Sequence, residues 1–255
     1  MDPLPPDLRD CLRGIPSIGV ITGAGVSVES GIRSYRGQGG LYDDPEEGER
    51  NAEALSGPVL RRDPDRTWRV VAEMARASAG AKPNAGHEAL VRLEQGVERF
   101  VLLTQNVDGL HAAAGSRNII DIHGDIRTTR CMSCDALARL TPELLRALEV
   151  APRCAHCDGV LRPDIVLFGE YLPPAKYARI QAELVEDPPD LLLAAGTTAL
   201  FPYICHPVIA VAEVDHITVE VNPEPTVLTD VVGWSLRGSA GQLLPAIADA
   251  VLGVA

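Results

Sequence analysis

The sequence lacks any apolar run approaching the ~20 residues of a membrane-spanning helix, so we expect no transmembrane segment and no membrane partner. It is also short of basic residues, since 23 Lys and Arg stand against 35 Asp and Glu, for a net charge of −12. Nucleic-acid binding depends on Lys and Arg contacts to phosphate, so this balance argues against a general nucleic-acid binder. The charge is compatible with a cationic protein or peptide partner, or serves only solubility.

The start of the sequence does not have the pattern of a secretion signal. Its first fifteen residues contain Asp2, Asp7 and Asp10 and no long apolar core, so we expect a cytoplasmic protein. The 255 residues are 46% hydrophobic and 23% charged, which is ordinary globular composition. This length suits one large domain, or one domain with a smaller inserted module.

Short apolar strands alternate with helical stretches, which predicts a parallel sheet covered on both faces by helices. The predicted strands are residues 17–22, 100–104, 119–122, 165–168, 190–195 and 217–221. Residues 31–51, rich in Gly, Asp, Glu and Arg, are predicted to form a long loop. Small and polar residues follow several strands, and the ligand crevice of an open α/β sheet lies at that end of its strands.

The first strand is followed by a turn of small residues, Gly23-Ala24-Gly25, with Ser27 just beyond it. Small residues let a ligand's phosphates approach the backbone, and the N–H groups of a helix predicted to begin near Val26 attract anions. The turn lacks the third glycine of the usual dinucleotide fingerprint. Its residues alone therefore leave two interpretations open, a phosphate cradle or simply a turn.

Four of the six cysteines form two Cys-x-x-Cys pairs, Cys131 with Cys134 and Cys154 with Cys157. The separation of the two pairs is typical of a four-cysteine zinc ribbon. In a chain without a secretion signal, such pairs indicate metal binding rather than disulfides. A zinc site with four sulfur ligands is closed, so we predict a structural role.

Two further strand ends carry polar side chains. Gln105, Asn106, Val107 and Asp108 follow the strand at 100–104, and His123 follows the strand at 119–122. A lone histidine at a strand end is more often structural than catalytic. Imidazole nevertheless suits acid–base chemistry, because its ordinary pKa of ~6.5 lies near working pH.

Taken in order, these residues resemble the sirtuins, the NAD-dependent protein deacylases. The similarity covers residues 20 to about 240. Its motifs are GAGVS at 23–27, ESGI at 29–32, YRG at 35–37, TQNVDGLH at 104–111, HG at 123–124, the two cysteine pairs, RPD at 162–164, FGEYLP at 168–173, GTT at 196–198, NPE at 222–224 and GSA at 238–240.

The resemblance implies an α/β fold, with a Rossmann-like parallel-sheet domain and a smaller zinc-ribbon and helical domain formed by insertions. The NAD-binding domain would comprise residues 1–32, 79–124 and 164–255. Residues 33–78 would form a cofactor loop and helical insertion, and residues 125–163 the zinc-ribbon module.

The resemblance also implies a role for each matching residue. Those assigned to NAD are Gly23, Ala24, Gly25, Ser27, Tyr35, Arg36, Gln105, Asn106, Val107, Asp108, Gly196, Thr197, Thr198, Asn222, Pro223, Glu224 and Ala240. His123 is implied to be the general base, acting with Asn106 and Asp108. An acylated-lysine peptide would pair as an added strand with Val166, Leu167, Phe168 and Gly169. Zinc would be bound by Cys131, Cys134, Cys154 and Cys157.

The implied reaction removes acyl groups, acetyl above all, from protein lysines and yields nicotinamide, O-acyl-ADP-ribose and free lysine. Sirtuins that remove succinyl or malonyl groups carry a Tyr-x-x-Arg pair, and alignment on Trp68 places Val71 and Met74 there. No guanidinium at those positions could pair with an acyl carboxylate, so we expect neutral acyl groups.

Two alternatives stay open. The first is a mono-ADP-ribosyltransferase or an NAD hydrolase on the same fold. The second is a zinc-ribbon binding protein whose nucleotide pocket is inactive and which acts as a scaffold.

Overall fold

A computed structural model of the chain describes residues 3–34 and 44–254. Its strands are β1 (Ser17–Thr22), β2 (Arg99–Thr104), β3 (Ile119–Asp121), β4 (Gly124–Cys131), β5 (Leu137–Arg139), β6 (Leu161–Ile165), β7 (Leu191–Ala195), β8 (Ile217–Val221) and β9 (Trp234–Leu236). Its α-helices are α1 (Pro6–Leu12), α2 (Pro45–Ala54), α3 (Gly57–Arg62), α4 (Pro64–Ala77), α5 (Ala85–Gly96), α6 (Leu110–Ala114), α7 (Pro142–Ala147), α8 (Pro174–Ile180), α9 (Pro202–Glu213) and α10 (Ala240–Leu252).

Six of the strands form one parallel sheet in the order β3-β2-β1-β7-β8-β9. The strand order reverses between β1 and β7, and an open α/β sheet leaves a crevice beside the carboxyl ends of its strands at such a point. This topology confirms the predicted Rossmann-like α/β fold.

The central strands of this sheet are buried on both faces. β1 (SIGVIT) and β7 (LLLAA) are continuous apolar runs without alternation, as a sheet covered on both sides requires. On one face they pack in a core cluster that includes Leu8, Leu90 and Ile247 of α1, α5 and α10. On the other face the cluster includes Ile204 and Val208 of α9.

The second sheet is antiparallel, in the order β5-β4-β6. β4 begins directly after His123 and ends at Cys131. Gly124 pairs with Ile165, and the Val166 amide donates to the His123 carbonyl at 2.9 Å. The small sheet is therefore continuous with the edge of the main sheet at His123.

A third core cluster joins the helices between residues 45 and 77 to the small sheet. Trp68 is completely buried in it, and its Nε1 donates to the Leu161 carbonyl at 2.7 Å. Val71 is also completely buried, while Met74 packs against the cluster partly exposed. Trp68, Val71 and Met74 on α4 thus form a packing surface.

Three element predictions were wrong in type or bounds. The predicted loop at 31–51 contains most of α2, whose sequence PEEGERNAEA has a proline in the first turn and several helix-forming Glu, Ala and Arg residues. The helix expected near Val26 is a 3₁₀ helix, Ala24–Ser30, which Gly31 ends at φ 85°. The strand expected at 165–168 is β6, which ends at Ile165. Its pairing with β4 covers residues 161–165, and the next three amides bond instead to His123, Glu170 and Leu55.

No helix in the described residues combines the length and the apolar character needed to cross a bilayer.

Candidate active site

Residues that follow four neighbouring strands of the main sheet meet at its carboxyl edge. The Gly23 amide donates to the Ala195 carbonyl at 3.2 Å, and the Gln105 amide donates to the Thr22 carbonyl at 3.0 Å. The Gly196 amide donates to the Val221 carbonyl at 2.9 Å. The predicted segments at 23–27, 105–108, 196–198 and 222–224 therefore lie along one crevice.

The glycines of the first turn are required by a close approach of two loops. The Gly25 amide donates to the Gly196 carbonyl at 2.8 Å, and a Cβ on Gly25 would lie 2.7 Å from the Gly196 Cα. The neighbouring Ala24 amide donates to no acceptor in the described part of the chain. A free backbone donor between residues without bulky side chains suits a phosphate oxygen, so the turn fits the pyrophosphate of NAD.

Ser27, Asn106 and Asp108 form one hydrogen-bonded group beside this turn. The Ser27 hydroxyl donates to Asp108 Oδ2 at 2.7 Å, and Asn106 Nδ2 donates to Ser27 Oγ at 3.2 Å and to the Gly23 carbonyl at 3.1 Å. Asp108 Oδ1 accepts from the Leu110 amide at 2.8 Å. Ser27 and Asn106 are buried, so these side chains are fixed before any ligand arrives.

His123 lies at the end of β3 with both ring nitrogens in hydrogen bonds. Nδ1 is 2.8 Å from the Gln105 carbonyl, which can only accept, so Nδ1 carries the proton and Nε2 carries the lone pair. Nε2 accepts from the Tyr203 hydroxyl at 2.7 Å. Burial lowers the pKa of His123, the Gln105 carbonyl opposes that shift, and the charge of Lys176 adds to it. The imidazole is therefore neutral at pH 7, with one basic nitrogen.

The residues expected to contact the adenosine half connect to the same edge. Gln105 Nε2 donates to Thr197 Oγ1 at 2.8 Å, and Asn222 Nδ2 donates to the Thr197 carbonyl at 2.9 Å. Thr198, Pro223 and Glu224 are exposed, and Ala240 is buried at the start of α10. Tyr35 and Arg36, which were also assigned to NAD, lie outside the described residues.

The four paired cysteines converge at the end of the small sheet. Their Sγ atoms all lie within 4.8 Å of one another, with separations of 3.5 Å for Cys131 and Cys157, 3.7 Å for Cys134 and Cys154, and 3.4 Å for Cys134 and Cys157. A tetrahedral zinc ion about 2.3 Å from each sulfur would place them ~3.8 Å apart. The donor set and its spacing therefore fit zinc with no open coordination position.

The sequence model of the Sir2 family matches residues 23–201. The chain is 44% identical over 243 residues to "NAD-dependent protein deacylase 2" of Pseudomonas aeruginosa, with 94% of each chain covered. The chain belongs to the Sir2 family. This confirms the resemblance to sirtuins that was based on the order of the sequence motifs.

Solved Sir2 structures share the whole architecture. A Sir2 homologue mutant in complex with ADP-ribose matches this sirtuin with a TM-score of 0.88 and 34% identity, over 99% of each chain. A Sir2 in complex with a deacetylated p53 peptide and 3′-O-acetyl ADP-ribose matches with a TM-score of 0.82 and 25% identity, over 95% of this chain and 96% of the other.

A cavity of about 250 Å³ extends from the crevice of the sirtuin toward α4. Ala24, Ser27, Asn106, Val107 and Asp108 line it on the side of the main sheet. The lining on the other side includes the apolar side chains Leu55, Val70, Met74 and Ile126 together with the charged residues Arg33 and Glu73. Val71, which alignment placed beside Met74, is not part of the lining because it is buried in the core beneath.

The predicted peptide-binding segment connects His123 to the helical region. The Phe168 amide donates to the Leu55 carbonyl at 2.8 Å, and the Leu167 amide to Glu170 Oε2 at 3.0 Å. Because the Val166 amide is bonded to His123, three successive amides are already satisfied within the chain. Phe168 is nevertheless exposed, and the pairing of a peptide with Val166–Gly169 stays a prediction.

Two residues that support the crevice from outside, Tyr203 and Glu220, were not identified from the sequence. Nothing in the sequence links Tyr203 to a histidine eighty positions earlier. Glu220 had a usable signal, since it is a carboxylate inside the apolar strand ITVEV. It is almost completely buried and accepts hydrogen bonds from Thr226, Thr229, Ser235 and Arg237. Although burial raises its pKa, these donors outweigh that effect and lower it, so the carboxylate stays charged.

Proposed function

We propose that this sirtuin removes acyl groups from protein lysines with NAD as the acyl acceptor. The observation that carries the proposal is His123, held neutral with its lone pair on Nε2 at the sheet edge that also holds Asn106 and the Gly23–Gly25 turn. The P. aeruginosa relative bears the name of this activity, which favours it over a transferase, a hydrolase or a scaffold.

Different residues of the crevice would bind different parts of NAD. The turn at Gly23, Ala24 and Gly25 would hold the pyrophosphate, and Thr197 and Asn222 the adenosine half. Gln105 and Asn106 would contact the other ribose, and Val107 and Asp108 the nicotinamide carboxamide. When bound, NAD supplies a ribose carbon that becomes electrophilic as nicotinamide leaves, and the acyl oxygen of the substrate can then attach to it.

His123 would act as the general base in this arrangement. Its Nε2 would take a proton from a ribose hydroxyl, so that the ribose oxygen can attack the acyl carbon. The imidazolium so formed keeps its Nδ1–H bond to the Gln105 carbonyl, which becomes stronger when the ring is charged. Asn106 and Asp108 would position the reacting groups rather than exchange protons, because their side chains are engaged by Ser27, Gly23 and Leu110.

The proposal includes the substrate, the domains and the location. An acylated-lysine protein would be held along Val166–Gly169 beside the exposed Phe168. The chain would divide into the NAD-binding domain at 1–32, 79–124 and 164–255, the helical insertion at 33–78 and the zinc ribbon at 125–163. It would act in the cytoplasm.

The reaction products decide between the proposal and its alternatives. Incubation with NAD and an acetyl-lysine peptide is expected to give unmodified peptide, nicotinamide and O-acetyl-ADP-ribose in equal amounts by mass spectrometry. Reactions without NAD, or with the unacetylated peptide, serve as controls. ADP-ribosylated protein would point to the transferase, and free ADP-ribose with the acetyl group retained would point to the hydrolase. A protein that consumes no NAD would support the scaffold.

The cavity beside α4 makes the preference for neutral acyl groups testable. Met74→Arg would add a guanidinium to a lining that holds apolar side chains as well as Arg33 and Glu73, and there it can pair with an acyl carboxylate. A hydrogen bond to a charged group contributes about 1.5–3 kcal/mol, so the ratio of desuccinylation to deacetylation is expected to rise about tenfold or more.

The control for this substitution is Met74→Leu, which keeps the volume without adding charge and should leave the ratio unchanged. Rates of removal of both acyl groups are measured as kcat/KM on one peptide sequence. Faster removal of succinyl than of acetyl by the unmodified protein would show that the acyl assignment is wrong.

A further inference from the structure

The Tyr203 hydroxyl occupies the nitrogen of His123 that the proposed reaction needs. The two atoms are 2.7 Å apart, and the proton on Nδ1 leaves Nε2 as the acceptor of this bond. Burial raises the pKa of Tyr203 to about 12, so the phenol is protonated and acts as the donor. An imidazole nitrogen has one lone pair. While Tyr203 donates to it, Nε2 cannot accept a proton from another hydroxyl.

Aromatic packing holds Tyr203 in this place. Its ring stacks on Phe201, with centroids 5.4 Å apart and an interplanar angle of 15°, and meets the His123 ring edge-on at 6.0 Å. Tyr203 also packs against the core cluster that contains Ile204 on the same helix. This packing favours the position of the ring seen in the free protein. Because Tyr203 is only half-buried, its side chain can tilt away from His123, and the hydroxyl then leaves Nε2.

We propose that Tyr203 is a positioning residue that blocks Nε2 of His123 in the free protein and is displaced when the ribose hydroxyl of NAD arrives. The inference rests on the proposed function, because it takes His123 as the base. The block orients the imidazole before the ligand binds. It also sets a cost for binding, since the bond between Tyr203 and Nε2 must be broken before the ribose hydroxyl can take its place. A hydrogen bond of this kind contributes about 1 kcal/mol, which corresponds to about a fivefold change in affinity.

Tyr203→Phe removes the donor and keeps the ring that stacks on Phe201. In the free variant we expect NMR titration to show a higher pKa for His123 than in the unmodified protein, because a donor to Nε2 stabilises the neutral imidazole. Lys176, whose charge lowers the pKa of His123, is unchanged in both proteins. The His123 resonance is assigned by its absence from His123→Ala.

Kinetic measurements distinguish a Tyr203 hydroxyl that only blocks Nε2 from one that takes part in the reaction. Tyr203→Phe should bind NAD about five times more tightly by calorimetry and lower KM for NAD to the same extent, with kcat unchanged. Tyr177→Phe, which removes a phenol from α8, is the matched control and should change none of these values. A tenfold fall in kcat would overturn the proposal, because the hydroxyl would then act in the reacting complex. Unchanged values for both NAD affinity and the pKa of His123 would overturn it equally.

Failure of the proposed function would be seen separately. If the unmodified protein does not deacylate any peptide, the proposed function is wrong. The titration and the calorimetry still test the block, because neither needs turnover.

Discussion

His123→Ala is expected to lower kcat for NAD-dependent deacylation by about a hundredfold to ten-thousandfold, which is the range that a positioned general base contributes. The variant loses Nε2, a basic nitrogen on a neutral imidazole whose orientation is fixed by the hydrogen bond of Nδ1 to the Gln105 carbonyl. The measurement is steady-state release of nicotinamide and of deacylated peptide.

The fold and the NAD site should survive this substitution. His123 is bonded to Gln105 only through the backbone carbonyl, so the side chain of Gln105 remains free to hold Thr197. NAD affinity by calorimetry should therefore change little. His206→Ala, on the exposed side of α9, is the matched control and should keep full activity. A His123→Ala protein that turned over at the normal rate would remove the general base from the mechanism.

The pH dependence gives a second check on the same assignment. Burial and Lys176 lower the pKa of His123, so the active neutral form persists to more acid pH than for an ordinary imidazole. In the unmodified protein kcat/KM should rise with pH through a midpoint below 6.5 and stay level above it. A midpoint above 6.5 would contradict the conclusion that burial lowers the pKa of His123.

Cys131→Ser is expected to abolish zinc binding and to unfold the small sheet. The core cluster around the metal site consists of Cys131, Cys154 and Leu161, with Ala136 packed against it, and this is too little apolar surface to hold the cysteine end of the small sheet together without the metal. A structural zinc ion contributes about 10–16 kcal/mol in isolated zinc-finger peptides, which equals or exceeds the whole stability of a typical domain. Zinc content, unfolding temperature and the far-UV spectrum are the measurements.

Activity should be lost together with the small sheet. β4 connects Cys131 to His123, and the Val166 amide that follows β6 is bonded to the His123 carbonyl. Disorder in these strands therefore frees the backbone of His123, and its imidazole is no longer held in position. Cys11→Ser, on an exposed position of α1, is the matched control and should bind zinc and react normally. A metal-free protein with the normal unfolding temperature and full activity would show that the cysteine cluster has no structural role.

The parts of the fold that the sequence predicts best are those specified by local pattern. β1 and β8 lie at the predicted residues because each is a short apolar run bounded by turn residues. The cysteine cluster was predictable because two tight knuckles leave few arrangements for four thiolates. The residues at the strand ends were predictable as a group, since parallel strands bring their carboxyl ends to one edge.

What the sequence does not specify depends on contacts between distant segments. The bond between Tyr203 and His123 follows from how α9 packs on the main sheet. The hydrophobic periodicity of the sequence does not predict this packing. Val71 and Met74 are three residues apart on α4, yet one is buried in the core and the other lines the cavity. Helical spacing alone does not distinguish these positions, because the difference arises from what packs against the helix.

Glu220 has a consequence for how a nucleotide would bind. Both of its carboxylate oxygens accept hydrogen bonds from the chain, and its partner Arg237 also donates to the Glu224 carbonyl at 2.9 Å. The loop that follows β8 is thus already ordered in the free protein. A nucleotide bound there as proposed would lose little of its binding free energy to ordering the loop, so its adenosine end would bind first.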